Sequence, residues 1–288
     1  MRLADAVRLA TLAAIWGAAF IFIRVAAPAL GPVWIAEGRL LVGGVALLVW
    51  FRLSGIDAGW REHWRFHAVV GTLGTALPFA LFGYAGMHLP ASTMAILNTV
   101  TPMFALVMGA ALRDERITLP KVTGLAVGSA GVWLLMTDGG TGAGPASGAT
   151  LPAAAACLCA SLAYAANAVF VKRRGKNVPS RGTAVGAQLW GALALVPLLP
   201  IAPAQGAITG VVLVNLLALG LLASGVALVL YFRLIADIGV TRTQTVSLLI
   251  PAFGLLWGAL FLGEAITLVT IAGGVLIVAG TALVMRAR

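Results

Sequence analysis

The chain has 288 residues, 61% of them hydrophobic and only 10% charged, and its mean hydropathy is +1.03. A soluble globular domain carries roughly 25% charged residues, so this composition excludes one and points to an integral membrane protein. The formal net charge of +10 would suit a nucleic-acid partner, but the placement of the basic residues argues against that.

Apolar stretches close to the ~20 residues that cross a bilayer fall at 7–27, 33–53, 66–86, 91–112, 119–136, 151–171, 183–201, 209–231, 242–262 and 266–285. They predict an all-α protein of ten transmembrane helices with short connections. Basic residues occupy every second connection. Arg52, Arg61 and Arg65 follow the second stretch, and Arg113, Arg116 and Lys121 the fourth. Lys172, Arg173, Arg174, Lys176 and Arg181 follow the sixth, and Arg233 and Arg242 the eighth; Arg2, Arg8, Arg286 and Arg288 lie at the ends. The alternate connections, 28–32, 87–90, 137–150, 200–208 and 263–265, hold no Lys or Arg. The positive-inside rule then puts both termini and all the basic loops in the cytoplasm. Of 19 basic residues only Arg24 and Arg39 stand outside this pattern, so the charge sets topology.

Residues 102–136 recur without a gap as 251–285, 149 positions later. Pro102/Pro251, Phe104/Phe253, Gly109/Gly258, Glu115/Glu264, Gly124/Gly273 and Gly131/Gly280 are among 14 identities in 35 positions, more than biased composition gives by chance. The unit is five stretches, an odd number, so its two copies enter the membrane from opposite sides. This predicts a first repeat over 1–136, an external Gly/Ser/Pro-rich linker over 137–150, and a second, inverted repeat over 151–288. The segment from Trp16 to Arg24 also aligns loosely with that from Tyr164 to Lys172, which argues against a cleaved signal peptide at the first stretch.

Three further features join this layout: Trp16-Gly17-x-x-Phe20 in the first stretch, Arg39 early in the second, and a proline followed thirteen residues later by a glutamate in the fourth and ninth. Together they resemble the EamA family of the drug/metabolite transporter superfamily, over essentially the whole chain. Among members, the chain is most similar to YddG-like exporters of aromatic and other amino acids. The resemblance implies a central cavity lined by the first, third, fourth, sixth, eighth and ninth helices, with the fifth and tenth peripheral.

Pro102 and Pro251 fall near the middle of their stretches. A mid-helix proline removes one i→i−4 hydrogen bond, which frees the carbonyls of the repeat mates Asn98 and Ser247. Such backbone is tolerated at depth only against protein or a wet cavity. Thr99 and Thr101 in one half, and Thr243, Gln244 and Thr245 in the other, supply polar neighbours. These groups either bond only to adjacent helices or face a solute; their duplication favours the solute, with Asn98 and Gln244 at its polar end. Trp16 and Phe20, one turn apart, Phe79 beside the kink residue Pro78, and Tyr164 with Asn167 are candidates for the walls. The alternative for these aromatics is ordinary packing and interface belts.

No Asp or Glu lies in the middle third of any stretch, Glu37 being the nearest exception. Intramembrane carboxylates are the usual proton relay, so facilitated diffusion or exchange is expected. Scarce core cations disfavour phosphorylated solutes. Arg24, Glu37 and Arg39 share the outer third of the first two helices. They read as a structural ion pair, or as an outer gate or a contact for a solute carboxylate. His63 and His67 in a loop, and His88 in another, lack carboxylates at ligand spacing, and there is no phosphate-binding loop. No enzyme, metal or cofactor is indicated. The sequence thus predicts a secondary transporter, functional as a monomer in the bacterial inner membrane, that exports small neutral or zwitterionic solutes, aromatic and other apolar amino acids first. Export of other metabolites or drugs, or a non-transporting sensor or scaffold, are the alternatives.

Overall fold

The computed structural model describes residues 2–55, 57, 59–115, 117–137 and 148–286, by backbone alone at 240 and 241. Most of the linker expected at 137–150, residues 138–147, lies outside the described residues. All regular structure among the described residues is helical. The helices are α1 (Leu3–Leu53), α2 (Trp64–His88), α3 (Ala91–Ala111), α4 (Leu119–Thr137), α5 (Thr150–Arg174), α6 (Ser180–Ile201), α7 (Gly210–Ile238), α8 (Val246–Leu262) and α9 (Leu268–Arg286). Eight of these, all but α8, are long and apolar enough to cross a membrane.

At 51 residues α1 is more than twice the length of one span, and it bends at Gly31 (φ 77°, ψ 168°), which is flanked by Pro28 and Pro32. Glycine alone takes that backbone without cost, and Pro32 fits the first turn of the following arm, where no N–H is needed. The Ala29 carbonyl accepts from the backbone N–H of Gln205 (2.8 Å) and Gly206 (2.9 Å), so the α6–α7 connection closes over the bend. The first two apolar stretches therefore meet in a sharp bend rather than across a loop.

Two helices widen midway, α2 at Thr72–Ala76 and α7 at Leu219–Val226, where the turns are π-helical. Shifted by 149 positions, the first lies inside the second, so the wide turn is duplicated. Pro78 follows it in α2, inside a backbone that is helical without interruption from Trp64 to His88, so its missing N–H falls beside the wide turn. Ala227 holds that place in α7, so proline is not the common cause. A Cβ on Gly71 would lie 2.6 Å from the Gly191 nitrogen, and one on its mate Gly220 would lie 2.6 Å from Val42 Cβ. Val42 and Gly191 are themselves mates. The wide turn of α2 thus packs on α6 as that of α7 packs on the second arm of α1.

Helices α4 and α9 meet through glycines. A Cβ on Gly124 would sit 2.7 Å from the Gly280 carbonyl oxygen, and one on Gly131 2.8 Å from that of Gly273. The contact therefore pairs 124 with 280 and 131 with 273, in reversed order. The two helices run antiparallel, and mates exchange partners as they do across a two-fold axis. Small residues let the backbones approach where lipid offers no hydrophobic drive for association.

The duplicated prolines act differently. In α3 the helix breaks after Asn98 and resumes at Thr101, with Pro102 in its first turn. In the second copy, α8 runs on through Pro251, and the break falls earlier, between Thr243 and Val246. Nor does Tyr231 end its helix, because α7 continues to Ile238. His67 is fully buried in the first turns of α2 rather than in a loop, with Nδ1 2.7 Å from the Trp60 carbonyl oxygen.

Glu264, between α8 and α9, accepts from the N–H of Ala91 (2.6 Å) and Ser92 (3.0 Å) and from the Ser92 hydroxyl (2.6 Å). A carboxylate at a helix N-terminus satisfies donors with no partner in the helix and complements the helix dipole. Its mate Glu115 faces Lys121 (3.2 Å) and Lys172 (3.4 Å), beside an Asp114–Arg173 pair at 2.8 Å. These cations hold both carboxyls below the ordinary carboxylate range, through hydrogen bonds from Arg173 to Asp114 and from Lys121 to Glu115.

Replacing Gly131 or Gly280 by Leu should lower stability by about 1–3 kcal/mol, the usual cost of overpacking a tight contact. Detergent melting curves of the two variants should fall together, since mates occupy equivalent places; a loss confined to one would contradict the exchange of partners.

Candidate functional site

The wide turn of α7 gathers side chains from three other segments. The indole N–H of Trp16 donates to the Ala223 carbonyl oxygen at 3.1 Å, and Gln188 Nε2 donates, at a long 3.5 Å, to that of Ser224. Arg39 Nε donates to the Ser224 hydroxyl at 2.9 Å. The Arg39 guanidinium carbon also lies 3.7 Å from the centroid of the Phe79 ring, within cation–π range. Phe79, Ala76 and Leu40 form one buried cluster, with Tyr164 packed against it.

The aromatic residues continue from there in two directions. Tyr164 stacks on Phe82 at 6.3 Å, and Phe82 meets Phe20 edge-on at 5.5 Å. Trp16 lies 5.5 Å from Tyr231, whose hydroxyl donates to Gln244 Oε1 at 3.3 Å, while Ser247 Oγ donates to the Gln244 carbonyl oxygen at 2.9 Å. Of the residues singled out in the sequence, Trp16, Arg39, Phe79, Tyr164 and Phe20 thus form one linked group, and Gln244 and Ser247 extend it through Tyr231.

Asn98 and Thr99 are held elsewhere. Thr101 donates to the Asn98 carbonyl oxygen at 2.8 Å, satisfying the group freed at the break. The Thr99 hydroxyl bonds its own helix at Ala95 (3.2 Å), and Thr281 of α9 donates to the Thr99 carbonyl oxygen at 3.0 Å. Thr99 therefore serves the α3–α9 packing. Asn98 Oδ1 and Asn167 Oδ1 are buried without a hydrogen-bond partner.

The expected ion pair is corrected by the structure. Arg24 Nη1 donates to the carbonyl oxygens of Gly86 (2.9 Å) and Met87 (3.2 Å), at the C-terminus of α2 where a cation meets the negative end of the dipole. Glu37 is 4% exposed, and its Oε2 has no partner. Arg39 lies two residues further along, a spacing that puts the side chains on different helix faces. It turns to α7 and α2 instead. Its contacts Phe79 and Ser224 lie near the middles of α2 and α7, so the guanidinium sits deeper than the outer third.

Phe82 lies with the aromatics noted on its helix, but Ser224 and Gln188 escaped the sequence reading. Both carried a signal: at the same 149-residue offset, Arg39 is the mate of Gln188, and Thr75 the mate of Ser224. The Thr75 hydroxyl donates to the Ala187 carbonyl oxygen at 3.1 Å, one residue before Gln188, so in both copies this hydroxyl meets the facing helix. A separate apolar cleft of about 210 Å³ opens between α3, α4 and α5, walled by residues such as Val100, Phe104 and Leu125; it touches none of the candidate residues.

The profile of the EamA-like transporter family matches residues 6–137 and again 151–286. The chain belongs to that family. It is a multi-pass membrane transporter protein rather than an enzyme, and its partners are the lipid bilayer and a small-molecule solute. A probable terminal-alkyne amino-acid exporter of Streptantibioticus cattleyicolor is 28% identical, over 99% of this chain and 95% of the relative. A probable amino-acid metabolite efflux pump of Salmonella typhimurium is 25% identical over 92% and 89%. An uncharacterized transporter of Archaeoglobus fulgidus is 24% identical over 97% and 98%. One crystal structure, 18% identical, superposes with a TM-score of 0.68 over 98% of this chain and 96% of the other, which shows the shared fold.

Trp16→Phe keeps a ring against Tyr231 but leaves the Ala223 carbonyl without its indole donor. The variant should lose about 1–3 kcal/mol of stability, the cost of an unsatisfied buried acceptor. Melting curves should show Trp16→Phe clearly below the parent.

Proposed function

We propose that this protein is a secondary transporter that exports small neutral or zwitterionic organic solutes, amino acids with aromatic or other apolar side chains first. The observation that carries the reading is family membership over both halves, together with two relatives named as exporters of amino acids or their metabolites. The solute moves by alternating access between two inverted five-helix repeats, residues 1–136 and 151–288. The bend in α1 and the span of α8 bring the count to ten crossings. The antiparallel α4–α9 contact and the duplicated wide turns support the inversion. Both termini face the cytoplasm of a bacterial cell, the protein sits in the inner membrane, and a monomer suffices.

The linked group at the wide turn of α7 supports an amino-acid-sized solute better than a phosphorylated one. Trp16, Phe79 and Tyr164 present aromatic surface, and Arg39 is the one cation among them. Gln244 offers a further hydrogen bond, as does Asn98, which lies outside this group at the break in α3 with an unpartnered Oδ1. Transport is facilitative or by exchange; the observation favouring proton coupling instead is Glu37, a buried carboxyl with an unpartnered oxygen.

Purified protein in liposomes loaded with labelled phenylalanine should equilibrate it without a pH or sodium gradient. Accumulation driven by a proton gradient and abolished in Glu37→Gln would establish the coupled reading. In the same vesicles Trp16→Ala should shift preference from aromatic towards small aliphatic amino acids. Asn98→Ala should cut flux about ten-fold if the amide meets the zwitterion, a hydrogen bond to a charged group being worth about 1.5–3 kcal/mol. Parent-like transport by both folded variants would move the site elsewhere.

A further inference from the structure

Arg39 is a cation inside the bundle without an anion. Among the described residues no carboxylate pairs with it, and most of the other described acids are engaged elsewhere. Asp5 and Asp237 face Arg8, Asp114 faces Arg173, and Glu115 faces Lys121 and Lys172. Asp57 accepts from the Gly59 N–H, and Glu264 holds the start of α3. Glu37 points away. A buried charge is ordinarily paired, and an unpaired one within a membrane span marks a functional site.

The geometry of the guanidinium narrows what the missing anion is. Ser224 occupies Nε at 2.9 Å and the Phe79 ring covers one face at 3.7 Å, so the group is fixed in plane and tilt. Among the described residues the edge formed by Nη1 and Nη2 has no acceptor, and Arg39 keeps part of its surface open. Two parallel N–H donors on a rigid fork match the two oxygens of a carboxylate. Arg24, the nearest other intramembrane cation in sequence, is spent on the carbonyls of Gly86 and Met87. One free cation suits a singly charged anion and leaves a phosphate under-compensated. The repeat mate of Arg39 is Gln188, so the charge belongs to one half only and gives the solute an orientation.

We propose that Arg39 is the residue that binds the solute's carboxylate, with Ser224 and Phe79 as positioning residues and Tyr164 as an aromatic wall beside it. The proposal rests on the export reading for amino acids as the solute class, yet its chemistry is tested without transport. Purified protein in detergent is titrated with phenylalanine, phenylalaninamide and 3-phenylpropionate, and ligand stabilisation is followed by melting temperature. The two carboxylates should bind at least ten-fold more tightly than the amide. Arg39→Gln should remove that preference, weakening both carboxylates at least ten-fold while changing the amide less than two-fold. Arg39→Lys, which keeps the charge and loses the fork, should recover part of it, and Ser224→Ala should weaken carboxylates about three-fold.

Equal loss of carboxylate and amide in Arg39→Gln would show a structural arginine and overturn the assignment. So would a parent protein that binds the amide as well as the acids, or binds neither acid. Should Arg39→Gln not fold, the parent's acid-over-amide preference and its reduction in Ser224→Ala decide the matter. Binding of 3-phenylpropionate through Arg39, with no amino acid bound or moved, would leave the carboxylate site standing and sink the amino-acid reading instead.

Discussion

A helix in lipid has to satisfy its backbone polar groups within itself, and the wide turn of α7 is where this chain relaxes that rule. A π-turn loosens the i→i−4 ladder and tilts carbonyl groups outward, and at mid-depth such groups are tolerated only against protein or a wet cavity. Here Trp16 bonds the carbonyl of Ala223, while Gln188 and Arg39 engage Ser224. One irregular turn therefore fixes side chains from both arms of α1 and from α6. Phe79, Tyr164 and Tyr231 then find their places around those anchors.

The duplicate in α2 shows what the same device does without a charge. Thr75, the mate of Ser224, donates to Gly71 and to Ala187, both backbone carbonyls, and the contact is purely structural. In the second copy the hydroxyl accepts from a guanidinium instead. The glycine approaches are preserved in both copies, which is why the scaffold stays symmetric while the chemistry does not. A site that must hold an asymmetric solute gains from such a division of labour, because helix packing and recognition draw on different positions of the repeat.

Much of the fold was legible in the sequence because hydropathy and the 149-residue offset each report on backbone-scale constraints. The glycine pairs at 124/273 and 131/280 were visible as identities, and their partner exchange follows once the copies are antiparallel. Side-chain commitments were harder to read. Arg24, Glu37 and Arg39 sit close in sequence and suggested mutual pairing, yet their helix faces diverge and Arg24 finds carbonyl oxygens at the end of α2. The equal prolines at 102 and 251 suggested equal kinks. A proline's effect depends on where the helix starts, and only Pro102 falls in a first turn. Ser224 and Gln188 were overlooked for a different reason: they are mates of non-identical residues, and a search for identities passes over the positions where a duplicated scaffold has diverged.

That divergence bears on energetics as well. An arginine at mid-bilayer costs about 2.5–3.5 kcal/mol on insertion scales, and one hydroxyl and one aromatic face return about 0.5–2 kcal/mol through the cation–π contact with a comparable amount from the hydrogen bond. The two contacts together span that cost, but neither neutralises the charge, which a glutamine, as at position 188, would have avoided. An anion that completes the guanidinium stabilises whichever conformation holds it best, and only a difference between the two faces' affinities can shift their balance. Because Arg39 is joined through Ser224 to α7 and through Phe79 to α2, the pair of helices with the duplicated wide turns, neutralising it acts on the two elements whose backbone is already least regular.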